Sequence, residues 1–312
     1  MPGRFAPTAL LLLGACGGTA APLVAPDAVS PPDSTLVLDA ATGSPVAVPE
    51  LLRRLAEADL VLFGEVHDNA VHHELRGALL TKLPQGHAAI VFEQFPPAET
   101  GGPIPPPGGT EEREGWLDRQ GFDRRSWKWP LHRPVVEAAI ARGRSLWGSG
   151  VSREELRSVV REGESAAPDH LRPLLEQSPL DRAARDAIDR ALIEGHCGTL
   201  PATMIPGMRA AQAVRDAAMA RALQLAGATG PAWLIAGNGH VRRDVGVPRL
   251  LRNASPGSTT LVVGMLERGK DGALPGGADR AAFDIVIVTP RAAREDPCAT
   301  LQPPATRPDR MP

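Results

Sequence analysis

Val61-Leu62-Phe63-Gly64-Glu65-Val66-His67-Asp68-Asn69, followed at once by Val71-His72-His73-Glu74, is the stretch from which the rest of the chain can be read. An unbroken apolar run stops at a glycine and then offers a carboxylate, an imidazole and an amide. A second run, Ala232-Trp233-Leu234-Ile235-Ala236, stops the same way in Gly237-Asn238-Gly239-His240. Apolar runs without polar alternation are the mark of parallel strands covered on both faces. In an open α/β sheet ligands bind beyond the carboxyl ends of such strands, so both segments are expected to present polar groups to one crevice.

Working outward, the expected elements alternate. Strands are predicted at Leu36–Asp39, Leu60–Phe63, Ala88–Phe92, Leu146–Gly148, Ala232–Ala236, Thr259–Val263 and Asp284–Val288. Helices are predicted at Leu51–Ala58 and Ala70–Lys82, the latter capped by Asp68 or Asn69 with Leu75, Leu79 and Leu83 on one face. Between Arg113 and Leu225 the pattern is helical, apart from Leu146–Gly148. The fold class is therefore α/β: a mostly parallel sheet flanked by helices, with a helical cap subdomain at about 110–228 inside a domain spanning 36–290. Residues 291–312 are expected to form a flexible tail.

The amino terminus speaks to compartment. Arg4, the apolar Ala9–Leu13 and Leu13-Gly14-Ala15-Cys16 have the layout of a signal peptide over 1–15. Small residues before a cysteine resemble the lipobox of bacterial lipoproteins, so Cys16 is the expected lipidation site. Residues 16–35 then form a Gly-, Ala- and Pro-rich tether. This places the folded part at the bacterial cell envelope, on a lipid anchor. The formal charge of −2 argues against a nucleic-acid partner, which demands a basic stripe. An oxidising envelope permits a disulfide between the remaining cysteines, Cys197 and Cys298.

Several side chains can carry chemistry. Glu65 and His67, two apart in extended chain, point to one side and can converge on a ligand, metal or water. The structural alternative is that Glu65 binds an arginine and His67 caps a helix. His72 and His73 lie about 100° apart on a helix, so one faces the crevice and the other does not. Glu93, at the end of the next strand, can join Glu65 there. Asn238 and His240 are the polar groups of the second glycine-bounded strand end, with Arg242 and Arg243 behind them to pair with the glutamates or a ligand carboxylate. His196-Cys197-Gly198 interrupts the helical region, and His196 is a possible metal ligand. The absence of a His-Glu-x-x-His helix and of a Gly-x-Ser-x-Gly elbow argues against a protease zinc site and a serine hydrolase.

Gly64-Glu65-Val66-His67-Asp68-Asn69 with His72-His73, Phe92-Glu93-Gln94-Phe95, His196-Cys197-Gly198 with Leu200-Pro201, and Gly237-Asn238-Gly239-His240 together resemble the ChaN-like haem-binding lipoproteins of the Tiki superfamily. TraB-like proteins and erythromycin esterases share that superfamily. The resemblance runs in order from about residue 50 to 290. It implies an α/β core with a helical subdomain, membrane anchoring, haem as cofactor and iron uptake as role, with haem-mediated homodimerisation. The family's haem iron is described with a tyrosine ligand, and this chain has no tyrosine. That axial bond cannot be carried over: either a histidine such as His196 or a methionine replaces it, or this member binds haem poorly or not at all. The residues expected around the cofactor are Glu65, His67, His72, His73, Glu93, Asn238 and His240. The rival reading is hydrolysis, with Glu65 as base or metal ligand and His67 and His240 positioning water or metal.

Overall fold

The computed structural model describes residues 35–84, 88–108, 112–296 and 298–299. The expected signal peptide, the Cys16 lipidation site and nearly all of the tether lie outside these residues, as does the end of the tail.

Seven strands form one sheet in the order β1-β7-β6-β2-β5-β3-β4. They are β1 (Leu36–Asp39), β2 (Leu60–Phe63), β3 (Ala89–Phe92), β4 (Leu146–Gly148), β5 (Ala232–Ile235), β6 (Thr260–Glu267) and β7 (Ile285–Thr289). Every neighbouring pair is parallel except β1 with β7, where the first strand closes one edge antiparallel. β2 and β5 sit side by side at the centre, paired Leu60 to Ala232 through Phe63 to Ile235. Connections leave this pair in opposite directions, towards β3 and towards β6, which opens a crevice beyond its carboxyl ends.

Alternation along each strand sorts side chains into two cores. Leu60, Leu62, Leu234 and Val262 face one layer, with Val214, Ala217 and Leu223. Val61, Phe63, Trp233, Ile235 and Val263 face the other, with Leu51, Leu80, Trp116 and Val136. The second layer is built from α1 (Val48–Glu57), α2 (Ala70–Lys82), α3 (Arg113–Arg119) and α4 (Arg133–Ala141). The first comes from α5 (Arg153–Glu162), α6 (Arg172–Gln177), α8 (Ile205–Ala226) and α10 (Val247–Ala254). Fully burying one such side chain contributes roughly 1.5–3 kcal/mol, so the doubly covered strands dominate stability.

The region expected as a cap at 110–228 is thus shared between both layers and contains β4, an edge strand of the sheet. α7 (Arg182–Gly195) packs along α8. Three short helices, α9 (Asn238–Val241), α10 and α11 (Gly277–Arg280), were not foreseen, and β6 runs four residues beyond its expected end. Cys197 and Cys298 are joined, their Cα atoms 5.4 Å apart, so the tail is tied back at that point. No helix among the described residues is long and apolar enough to cross a membrane.

Candidate functional site

The backbone beyond β2 cannot spread sideways. At Gly64 a Cβ would meet the Asn238 Oδ1 at 2.3 Å, so glycine lets the ends of β2 and β5 close on each other. Asn238 Nδ2 donates to the Met265 carbonyl at 2.7 Å and its Oδ1 accepts from the Met265 amide at 3.2 Å. Its side chain therefore clamps β5 to β6. Asn69 caps α2 by accepting from the Val71 amide, and its amide group donates to Glu267. These locks hold the loops that carry the polar residues.

Glu65 and His240 line the same cavity, of about 1250 Å³, together with His67, Glu93 and Asn238. That is the size of a generous small-molecule site, which typically holds roughly 300–1,000 Å³. Its floor carries two imidazole–carboxylate groups. In the first, His67 Nδ1 donates to Glu65 Oε1 at 2.7 Å. Glu65 is buried, and its other oxygen contacts the guanidinium of Arg76, itself fully buried on α2. Burial pulls Arg76 down to about 9, still charged at neutral pH. His67 keeps 46% of its side-chain surface open to the cavity, with Trp127 edge-on at 5.2 Å. Desolvation by the surrounding protein lowers its pKa, opposed in part by Glu93, so the ring is neutral.

In the second group His240 lies between two carboxylates. Nδ1 is 2.6 Å from Asp216 Oδ1 and Nε2 is 3.4 Å from Glu93 Oε1. Gln212 also approaches Nδ1, at 2.9 Å. Burial acts to discharge this ring, but Glu93 and Asp216 outweigh it and raise it to about 10. Burial likewise acts to raise Glu93, but the charge on His240 and the Gly237 amide, 2.9 Å from Oε2, hold it down to about 2. Asp216 is raised by burial despite its partner. One crevice therefore holds a neutral imidazole and an imidazolium.

Other expected residues have different positions. His73 sits beneath the floor: Nε2 donates to the His67 carbonyl at 3.0 Å and Nδ1 accepts from Arg76 at 2.8 Å. His72 accepts from the Val66 amide and donates to Thr289, and it does not line the cavity. Both are kept neutral by burial. His196 lies away from the cavity altogether. It is the exposed C-cap of α7, its ring 2.7 Å from the Leu192 carbonyl, beside the disulfide. The reason is chain termination: Cys197 at φ 58° and Gly198 at φ 72° turn the backbone out of the helix there. Arg242 pairs with Asp244 and Arg243 with Asp284, so neither reaches the glutamates.

The sequence reading missed Asp216, Arg76 and His132. His132 is buried with neither ring nitrogen hydrogen-bonded among the described residues, 4.2 Å ring to ring from His73. Glu65, His73 and His132 bring possible ligand atoms within 4.8 Å of one another, but Arg76 already supplies positive charge to that carboxylate.

Residues 51–251 match the family described as haem-binding uptake, Tiki superfamily, ChaN. Among solved structures, the cofacial haem complex of ChaN from Campylobacter jejuni is similar at 18% identity. It covers 81% of this chain and 96% of that one, with a TM-score of 0.65, which shows a shared fold. The type III effector HopBA1 aligns at 14% identity over 78% of this chain and 93% of its own, with a TM-score of 0.40. The erythromycin esterase EreC in its open conformation aligns at 15% over 85% of each, with a TM-score of 0.39. No curated protein matches.

Proposed function

The chain belongs to the ChaN family of haem-binding uptake proteins in the Tiki superfamily, and on that premise we propose that the cavity over Glu65 and His240 receives haem as cargo. The observation that carries this reading is the composition of the cavity wall. Pro96, Trp127, Trp147, Leu156 and Leu225 offer apolar surface for a flat macrocycle. Arg215 and Arg221 line the same space from α8, exposed and without a side-chain hydrogen bond or ion pair to any described residue. Two unpaired guanidiniums beside an apolar slot suit a ligand with two carboxylates, since arginine meets carboxylate in a forked pair. The donor set also fits, because imidazole is an established haem-iron ligand.

Anchoring belongs to the same proposal. The lipobox at Cys16 would hold the domain on a membrane at the envelope, with the tether giving it reach. Two copies meeting around their cargo would form a homodimer. Titrating the purified protein with haem is expected to give a Soret shift that saturates at fixed stoichiometry, and Arg215→Ala with Arg221→Ala should weaken it. A spectrum identical to free haem would refute haem binding. Cys16→Ser should move the protein from the membrane to the soluble fraction.

A second reading, hydrolysis, is favoured by one specific observation: the Glu93–His240–Asp216 group, which haem capture alone does not require. Here an imidazolium fixed at about 10 can only donate a proton, so His240 would be the acid, and the neutral His67 with Glu65 behind it the base. Turnover in an esterase panel that disappears in His67→Ala would support it. No turnover in the wild type would remove it.

A further inference from the structure

We propose that His67 Nε2 is the atom that ligates the haem iron, with Glu65 as the residue that orients it. This rests on the haem reading above. The chain has no tyrosine, and no cysteine lines the cavity among the described residues. The imidazoles that do line it are His67, His170 and His240. His240 has both nitrogens engaged, by Asp216 and by Glu93. His170 stands on an exposed loop with no hydrogen bond from its ring to any described residue.

His67 has what a ligand position requires. Its Nδ1 is committed to buried Glu65 at 2.7 Å, which sets the tautomer and leaves the Nε2 lone pair unprotonated. Metal-ligating histidines are held in this way by a carboxylate on the far nitrogen, which also makes the ligand more basic. The Nε2–Cε1 edge of the ring packs against Gly237, where a Cβ would lie 2.8 Å from that nitrogen, so only a glycine there leaves the lone pair room. Trp127 props the ring from its side. On binding, the Nε2 lone pair forms the bond to iron while the Nδ1 proton remains in the hydrogen bond to Glu65.

The test is resonance Raman and electron paramagnetic resonance of the haem-loaded protein as wild type, His67→Ala and His170→Ala. A histidine-ligation signature is expected in the wild type and in His170→Ala. It should be lost in His67→Ala, with weaker haem retention, and restored there by added imidazole. Because the side chain is half open, His67→Ala leaves the fold intact. Haem bound by His67→Ala with an unchanged ligation signature, or loss of the signature in His170→Ala instead, overturns the assignment and leaves the haem reading standing. Failure of the wild type to take up haem overturns that reading and the assignment with it.

Discussion

Replacing His240 by Ala tests the electrostatics of the crevice most directly. The wild type holds one cation between two carboxylates at 2.6 and 3.4 Å. At an effective dielectric of 20 these contacts amount to about 6 and about 5 kcal/mol of attraction, much of it offset by desolvation. Removing the shared cation leaves two buried acids unpaired, for which a loss of about 3–5 kcal/mol at neutral pH is expected. The pH dependence separates this from a simple cavity. In the wild type His240 is raised from 6.5 to about 10, so its contribution is complete below about 6.5 and lost as pH climbs through 10. Glu93, lowered from 4.5 to about 2, contributes above 4.5 and fades as pH falls towards 2. Asp216 is raised, runs the opposite way and offsets part of Glu93. In the variant both acids are raised by burial, so protons rescue the folded state as pH drops from neutral. Urea unfolding at pH 6 and pH 5, where the wild-type contribution of His240 is nearly constant, should show a gap between the proteins that narrows at the lower pH. A gap below about 1 kcal/mol at pH 6, or one equal at both pH values, would refute the ion-group argument, because a missing ring costs the same at any pH.

Three further outcomes follow from contacts around the site. Arg76→Met strands the buried carboxylate of Glu65 and should cost about 3–5 kcal/mol in denaturant unfolding; a loss under 1 kcal/mol would mean that Glu65 is neutral in the folded state. Gly237→Ala places a methyl 2.8 Å from His67 Nε2 at an unstrained backbone position, so midpoint stability should hold while haem affinity falls roughly tenfold, about 1.4 kcal/mol; unchanged affinity would show that the ring has room elsewhere. Cys197→Ser opens a cross-link between residues 101 apart and should lower stability by about 2–4 kcal/mol, with dithiothreitol destabilising the wild type but not the variant.

The sheet was legible because β2, β3 and β5 are covered on both faces and their sequences carry no polar interruption. The site was legible only in part. Glu65, His67, Glu93 and His240 announce themselves by following glycine-bounded apolar runs. Asp216 does not: it lies within the alanine-rich α8, where a single carboxylate among small residues looks like a solvent-facing position. Its burial is decided by α8 packing against β3 and β5 and by the contact with His240. Arg76 is hidden likewise, as an arginine at helical spacing gives no sign that a carboxylate waits beneath the sheet end. His196 misled for the opposite reason. A His-Cys-Gly break has a conformational cause in the left-handed turn at Cys197 and Gly198, and a covalent one in the disulfide. α10 carries helical spacing at Val247, Leu250 and Leu251, but over only eight residues, too short a run to stand out.

The two imidazoles of the crevice divide the possible chemistry between them. His240 is fixed as a donor by carboxylates on both nitrogens, so it can neither ligate a metal nor take up a proton near neutral pH. His67 has one nitrogen committed and one lone pair free, so it can do either. Of the two, His67 is the electron-pair donor and His240 the protonated partner. For a haem carrier, the charge on His240 is already balanced by Glu93 and Asp216, which leaves Arg215 and Arg221 to meet an anionic cargo. For a hydrolase, His240 would supply the proton that a leaving group needs. Replacing His240 with Gln separates the two. Gln keeps hydrogen bonding but removes the charge, so it should leave the ligation signature of bound haem in place while abolishing a reaction that depends on a proton donor.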